Sequence, residues 1–428
     1  MTIALGVFAL YALVAGRLDR WSITAPIVLV AAGIVLGEGG LQVLHVTAGA
    51  ESVKLLAELT LAVLLFADAS TVRLRDGGGA GLPGRLLGFG LPLTIGLGTL
   101  AAHYILSVSW AESALIASIL APTDAALGLA VVTNTMVPAK IRRALNIESG
   151  LNDGVATPFV VFFLAVVAAE AEHQHWILGG LKEIALAVVF GAAIGALSGW
   201  TATRARQAGW TTPLSDALFI LSVSLLSYEG AVMIHGNGFV SAFIAGALFG
   251  ATAHHRFHQA TELTEDVGLY ASFAVWLIFG AVFAGPVLRD GWHWRPILYA
   301  ALSLTLVRMA PVAAALIGTR LRLDTVAFVG WFGPRGLASV VFTLLVYEEF
   351  HGASPANGVA EVATWTILLS VLAHGLSAGP LASGYARRLA GSPPGIPELE
   401  DTPEPRARRR SLHDRGRIPD PTAGKQGA

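Results

Sequence analysis

Apolar runs alternate with short polar connections along almost the whole chain. A helix needs about 20 apolar residues to cross a bilayer. Runs of that order occur near residues 2–16, 24–42, 52–71, 86–107, 111–133, 144–168, 176–202, 214–232, 237–252, 267–287, 295–318, 324–347 and 360–384, about 13 in all. Backbone groups in lipid must be satisfied within their own segment, so a helical bundle is the architecture such runs permit, and strands are set aside. The pattern predicts an all-α polytopic membrane protein with lipid as its surrounding partner.

Two runs are interrupted. The fifth breaks at Pro122-Thr123-Asp124 and the twelfth, seven segments later, at Gly333-Pro334-Arg335-Gly336. Either break alone would pass as a proline kink, which membrane helices tolerate. Broken helices at corresponding places in two halves instead mark transporters built from inverted repeats, whose unwound backbone lines a site near the midplane. Six spans, one linker span and six spans fit this arrangement. The spacing of the breaks carries the argument, since no residue-level similarity between the halves is visible.

Composition agrees with the membrane reading. Of 428 residues, 54% are hydrophobic and 13% charged, and mean hydropathy is +0.65, whereas soluble domains carry about 25% charged residues. The net charge of −1 gives no reason to expect nucleic acid as a partner. Cysteine is absent, which excludes disulfides and thiolate metal sites. The first run, Ile3 to Ala15, lacks a basic leader and reads as a span rather than a removed signal peptide.

Thirteen basic residues fall on alternate connections: Arg17, Arg20, Arg73, Arg75, Arg85, Lys140, Arg142, Arg143, Arg204, Arg206, Arg256, Arg320 and Arg322. Positively charged loops stay in the cytoplasm, so the amino terminus is expected outside and the carboxyl terminus inside. We expect a membrane domain over residues 1–385. Residues 386–428, rich in Pro, Arg, Glu and Gly, are expected to be a disordered cytoplasmic tail.

The chemistry-bearing residues gather at the breaks. A carboxylate at the bilayer centre costs about 2.5 to 3.5 kcal/mol on insertion scales, so Asp124, Glu148 and Asp153 point to movement of ions or protons. In the sixth run Glu148 and Asn152 share one helical stripe, and Ser149 and Asp153 share the next. Gly150 and Gly154 would let a neighbouring backbone approach. Thr123, Ser149 and Asp153 could coordinate a dehydrated Na⁺, or hold a proton instead when the carboxyl is protonated. Competition for one carboxylate is a physical basis for exchange.

Thr123-Asp124, Glu148-Ser149 with Asn152-Asp153-Gly154, and Trp331-Phe-Gly-Pro-Arg335-Gly336-Leu-Ala-Ser339 together resemble the monovalent cation/proton antiporter superfamily, in its electroneutral sodium/proton exchanger branch. The resemblance covers about residues 1 to 385. It implies a 13-helix fold of two inverted repeats with crossed broken helices, a six-helix transport core, a dimerisation domain making a homodimer, and elevator-like alternating access. It also implies a monovalent cation, Na⁺ or else Li⁺ or K⁺, at the Thr123 carbonyl, Ser149, Asp153 and Asp124, with no cofactor. Glu148 would pair with Arg335. The electrogenic branch has a second Asp where this chain has Asn152, so one H⁺ is expected per cation. The implied role is pH and sodium homeostasis at the plasma membrane.

Other polar residues are less specific. Asp68, at the end of the third run, reads either as a further ligand or as a solvated helix end. Arg308 lies mid-span and is expected to pair with an acid of the core. His254, His255 and His258 read as a solvated loop rather than a pH sensor. His374 and Ser377 could form a dyad for acyl transfer, but nothing supplies an oxyanion hole, and a polar helix contact is the better reading. A passive channel would leave the competing carboxylates unexplained.

Overall fold

The computed structural model describes residues 2–400 and 402, except 20–22, 47–48, 73–80, 125–126, 173–176, 255, 290, 353–354 and 394. Arg20, Arg73, Arg75, His255 and the chain after Thr402 therefore lie outside the described residues. The described residues form helices and connections, with no strand among them. In chain order the helices are α1 (Thr2–Asp19), α2 (Ala25–Leu36), α3 (Glu51–Thr71), α4 (Leu82–Leu106), α5 (Trp110–Leu120), α6 (Leu129–Val132), α7 (Ala139–Glu172) and α8 (Ile177–Gln207). They continue as α9 (Pro213–Met233), α10 (Gly238–Thr252), α11 (His258–Arg289), α12 (Trp294–Ala315), α13 (Leu323–Trp331), α14 (Leu337–Glu349) and α15 (Ala356–Ala390).

Every apolar run in the sequence corresponds to one helix or one interrupted pair. The fifth run is α5, the non-helical residues 121–124, then α6; the twelfth is α13, residues 332–336, then α14. Among the described residues, seven helices are long and apolar enough to cross a membrane by length and composition, and α1, α2, α5 and α10 are shorter apolar helices. π-helical turns interrupt α4 at Leu86–Gly90 and α11 at Gly280–Ala284, a local irregularity that often accompanies functional sites. α12 breaks its helical course at Thr305, three residues before Arg308.

Small residues let the helices approach closely. A Cβ at Gly246 or Gly250 of α10 would lie 2.2 Å from the carbonyl oxygen of Phe66 or Ser70 on α3. Such contacts suit membrane helices, whose association depends on packing rather than on exclusion of water. Leu115 and Ile119 of α5, Val340 and Phe342 of α14 and Ile367 of α15 share one buried core with Leu61 of α3 and Phe279 of α11. The two broken helices are therefore held from several sides.

The chain does not lose its structure at residue 386. α15 continues to Ala390, and a single 3-10 turn at Pro397–Leu399 follows. Glu398 is buried, accepting hydrogen bonds from the Arg322 backbone N–H (2.7 Å) and the Thr325 hydroxyl (2.9 Å). Lys140 donates to the Pro397 carbonyl (2.9 Å) and to Glu400 (2.8 Å). The expectation of disorder from 386 onward thus needs correction through Glu400. A low-apolar segment can still dock when polar anchors wait for it on the folded body.

Candidate functional site

The two breaks meet and exchange hydrogen bonds. The Asp124 backbone N–H donates to the Pro334 carbonyl (2.7 Å), and the Leu337 N–H donates to Asp124 Oδ2 (3.1 Å). Leu337 is the first residue of α14, so Asp124 serves as a cap borrowed from the other broken helix. A carboxylate suits that place, because a helix N-terminus presents free N–H groups and partial positive charge. Gly336 makes room: a Cβ there would fall 2.0 Å from Asp124 Oδ2.

Arg335 performs the opposite task at the end of α5. Its guanidinium, fully buried, donates to the carbonyls of Ala121 (2.7 Å) and Pro122 (3.3 Å), and to Ser303 O on α12 (3.3 Å). Carbonyls left over at a helix C-terminus carry partial negative charge and favour a cation. Each break therefore supplies the charge that the other break's helix end requires. Ser339 fastens the crossing further, donating to Ile119 O at 2.7 Å.

Glu148 lies beside this crossing on α7, and its partner is Arg308: the ion pair spans 2.6 Å, with both side chains 2% exposed. The expected Glu148–Arg335 pair is thus corrected. Arg335 is already committed to backbone carbonyls, and Arg308, just past the irregular turn at Thr305, reaches the carboxylate instead. Two guanidinium groups and two carboxylates, Glu148 and Asp124, meet at the crossing.

Thr123, Ser149 and Asn152 come together next to it. The Asn152 amide donates to Thr123 Oγ1 (2.5 Å), and Thr123 Oγ1 lies 3.2 Å from Ser149 Oγ. All three are buried, and Asn152 Oδ1 has no hydrogen-bond partner among the described residues. An unmatched buried amide oxygen is costly unless something fills its place. Asp153, half-buried one residue further along α7, accepts a bond from Thr157 through its carbonyl at 2.7 Å. The oxygen-rich character of this group suits a hard monovalent cation.

Asp68 is half-buried near the end of α3, outside the hydrogen bonds among Thr123, Ser149 and Asn152. Gly154 meets the ring of Phe243 on α10, so a side chain rather than the expected backbone fills its open face. Ser377 accepts from Trp331 Nε1 (2.9 Å), and His374 Nε2 faces the Trp331 carbonyl (2.9 Å), so each member of the conceivable dyad is engaged with the second break. Sequence reasoning did not find the roles of Ser370, Ser339 and the Ser303 carbonyl. Short hydroxyl side chains are too common in membrane helices to stand out.

A bundle of apolar helices with two interlocked broken helices, and buried charges at their crossing, is the build of a membrane transporter rather than an enzyme. The family model described as the sodium/hydrogen exchanger, transmembrane, matches residues 4–384, and the chain belongs to that family. Its fold resembles that of the sodium proton antiporter MjNhaP1 from Methanocaldococcus jannaschii, with a TM-score of 0.73 at 20% identity, covering 90% of this chain and 99% of that one. Among curated relatives, the K(+)/H(+) antiporter NhaP2 of Shewanella oneidensis is 23% identical over 369 residues, 84% of this chain and 62% of that protein. The Na(+)/H(+) antiporter of Schizosaccharomyces pombe is 26% identical over 318 residues, 66% of this chain and 68% of that protein. The chain thus spans about three fifths of the length of the NhaP2 relative.

Proposed function

We propose that the protein exchanges a monovalent cation for a proton by alternating access, as an electroneutral Na⁺/H⁺ antiporter of the plasma membrane serving pH and sodium homeostasis. One observation carries the proposal: the buried Thr123–Ser149–Asn152 group, with Asn152 Oδ1 unmatched, lies beside the crossing of two broken helices and next to Asp153. Thr123, Ser149 and Asp153 would hold the cation, with Asp124 and Asp68 contributing to its field. Protonation of Asp153 would release it, since one carboxylate cannot serve both ions together. Glu148, Arg308 and Arg335 keep the crossing in shape while this happens.

A second reading, K⁺/H⁺ exchange, is supported by the K(+)/H(+) antiporters that stand among the relatives beside a Na(+)/H(+) antiporter. Cavity geometry and ligand field decide between Na⁺ and K⁺. The asymmetry of basic loops supports an amino terminus outside and a carboxyl terminus in the cytoplasm. We propose a homodimer by analogy with the family. The test is dissipation of a preset pH gradient in vesicles, adding Na⁺, Li⁺ and K⁺ in turn. Cation-dependent proton movement that disappears in Asp153→Asn is expected. Absence of movement with all three ions in the wild type would end the antiporter reading.

A further inference from the structure

α15 contributes three polar side chains to the second break that ion binding does not use: Ser370, His374 and Ser377. They lie on one face of the helix and grip both ends of the unwound stretch between α13 and α14. At its far end the Arg335 N–H donates to Ser370 Oγ (2.7 Å); at its near end the Trp331 carbonyl lies 2.9 Å from His374 Nε2. The Trp331 indole N–H in turn donates to Ser377 Oγ (2.9 Å), and its ring packs against the imidazole at a centroid distance of 5.2 Å. His374 is 1% exposed.

The hydrogens follow from the number of bonds each arrangement makes. A backbone N–H only donates, so Ser370 Oγ must accept from Arg335. Its own hydrogen is then available to His374 Nδ1, 3.2 Å away. With the Ser370 hydroxyl donating to Nδ1, the single hydrogen of a neutral imidazole sits on Nε2, which then donates to the Trp331 carbonyl. A neutral imidazole protonated on Nε2 therefore completes a chain from Arg335 N–H through Ser370 and His374 to Trp331 O. Each neutral tautomer leaves one ring nitrogen facing a carbonyl at 2.9 Å, Nε2 against Trp331 O or Nδ1 against Ser370 O; the Nε2–H form makes the additional bond from the Ser370 hydroxyl to Nδ1.

We propose that His374, with Ser370, is a positioning residue for the cation site. By holding residues 331 and 335 at a fixed separation it sets the path of the unwound backbone, and with it the Pro334 carbonyl that receives Asp124 N–H and the Arg335 side chain that caps α5. Both contacts fix the loop carrying Thr123. The effect is on cation affinity: loosening the clamp misplaces the Thr123 oxygens before any ion arrives. The proposal deepens the antiporter reading and rests on it.

Two near-isosteric substitutions test it. The amide nitrogen of glutamine reaches the place of Nε2 and can donate to Trp331 O, whereas that of asparagine reaches only the place of Nδ1. His374→Gln is expected to keep the wild-type KM for the transported cation. His374→Asn is expected to raise it about tenfold with kcat changed less, the size expected for one lost buried hydrogen bond. Ser370→Ala, which leaves the imidazole in place, should move KM in the same direction. Folded yield and melting temperature of each variant are measured beside transport. Unchanged KM in both His374→Asn and Ser370→Ala, or equal impairment of the Gln and Asn variants, overturns the proposal. So does a fall in stability with no change in KM, which would show a merely structural role. A wild type that moves no protons with any cation fails the antiporter reading instead, and the two failures are distinguishable.

Discussion

Glu148 on α7 and Arg308 on α12 form a 2.6 Å ion pair sealed from solvent, while Arg335, also buried, spends its guanidinium on carbonyl oxygens. Removing one partner of such a pair strands a charge in low dielectric, at about 3 to 5 kcal/mol. Glu148→Gln and Arg308→Gln should each lower the melting temperature of the purified protein strongly. The double substitution should be less damaging than the sum of the two, because neither charge is left alone. Additivity in that cycle, with coupling appearing between Glu148 and Arg335 instead, would contradict the pairing.

Reciprocal capping at the crossing makes a separate prediction. Gly336→Ala introduces a Cβ 2.0 Å from the Asp124 carboxylate and 2.3 Å from its Cγ. The carboxylate would have to leave the N-terminus of α14, so folded yield should fall sharply. Asp124→Asn keeps an acceptor for Leu337 N–H while removing the charge, so it should insert and fold yet lose cation-dependent proton movement. Fluorescence-detected size exclusion separates the two outcomes. A well-folded Gly336→Ala protein with normal transport would show that the close approach is not needed.

The run of apolar segments and the positions of both breaks were legible because they depend on local chemistry: length of apolar run, and Pro and Gly where a helix must open. Partner choice at the crossing was not. Glu148 and its arginine come from helices far apart in the chain, and which guanidinium reaches the carboxylate depends on the irregular turn at Thr305. No periodicity within α7 encodes that, and family resemblance pointed to Arg335. Asp124 stood out in the sequence for its cost in lipid, but its capping of α14 emerges only when the two breaks are seen together. The anchoring of Glu398 was hidden for another reason. Its segment is compositionally a tail, and the groups that receive it lie more than seventy residues earlier.

That anchored segment should matter for stability. Glu398 joins the backbone at the start of α13 to the Thr325 hydroxyl, which also lies 3.0 Å from the Tyr385 hydroxyl, and Lys140 ties the same segment to the start of α7. Glu398→Ala leaves the Arg322 N–H without its acceptor and the Thr325 hydroxyl with only Tyr385 to turn to, a loss of about 1 to 3 kcal/mol. A lower melting temperature, and faster proteolysis near residues 391–400, are expected. Glu400→Ala, whose carboxylate is exposed and meets Lys140 in a surface pair, should change the melting temperature little. Equal effects of the two substitutions would show that the buried contacts of Glu398 do not hold the segment.

Stoichiometry turns on Asn152. Its amide donates to Thr123 Oγ1, so the residue is a neutral donor inside the cluster and cannot carry a proton across. On the proposed exchange at Asp153, each cycle should move no net charge. One elementary charge crossing 100 mV is worth about 2.3 kcal/mol, enough for any imbalance to make the rate respond to an imposed potential. Transport by the wild type in proteoliposomes should therefore be indifferent to a valinomycin-set potential at fixed Na⁺ and pH gradients. Asn152→Asp places a second carboxylate beside Thr123 and Ser149, and wherever that variant still transports, its rate should become sensitive to potential. Acceleration of the wild type by the potential would mean that another acid, Asp68 or Glu148, carries a proton in each cycle, and one-for-one exchange would have to be abandoned.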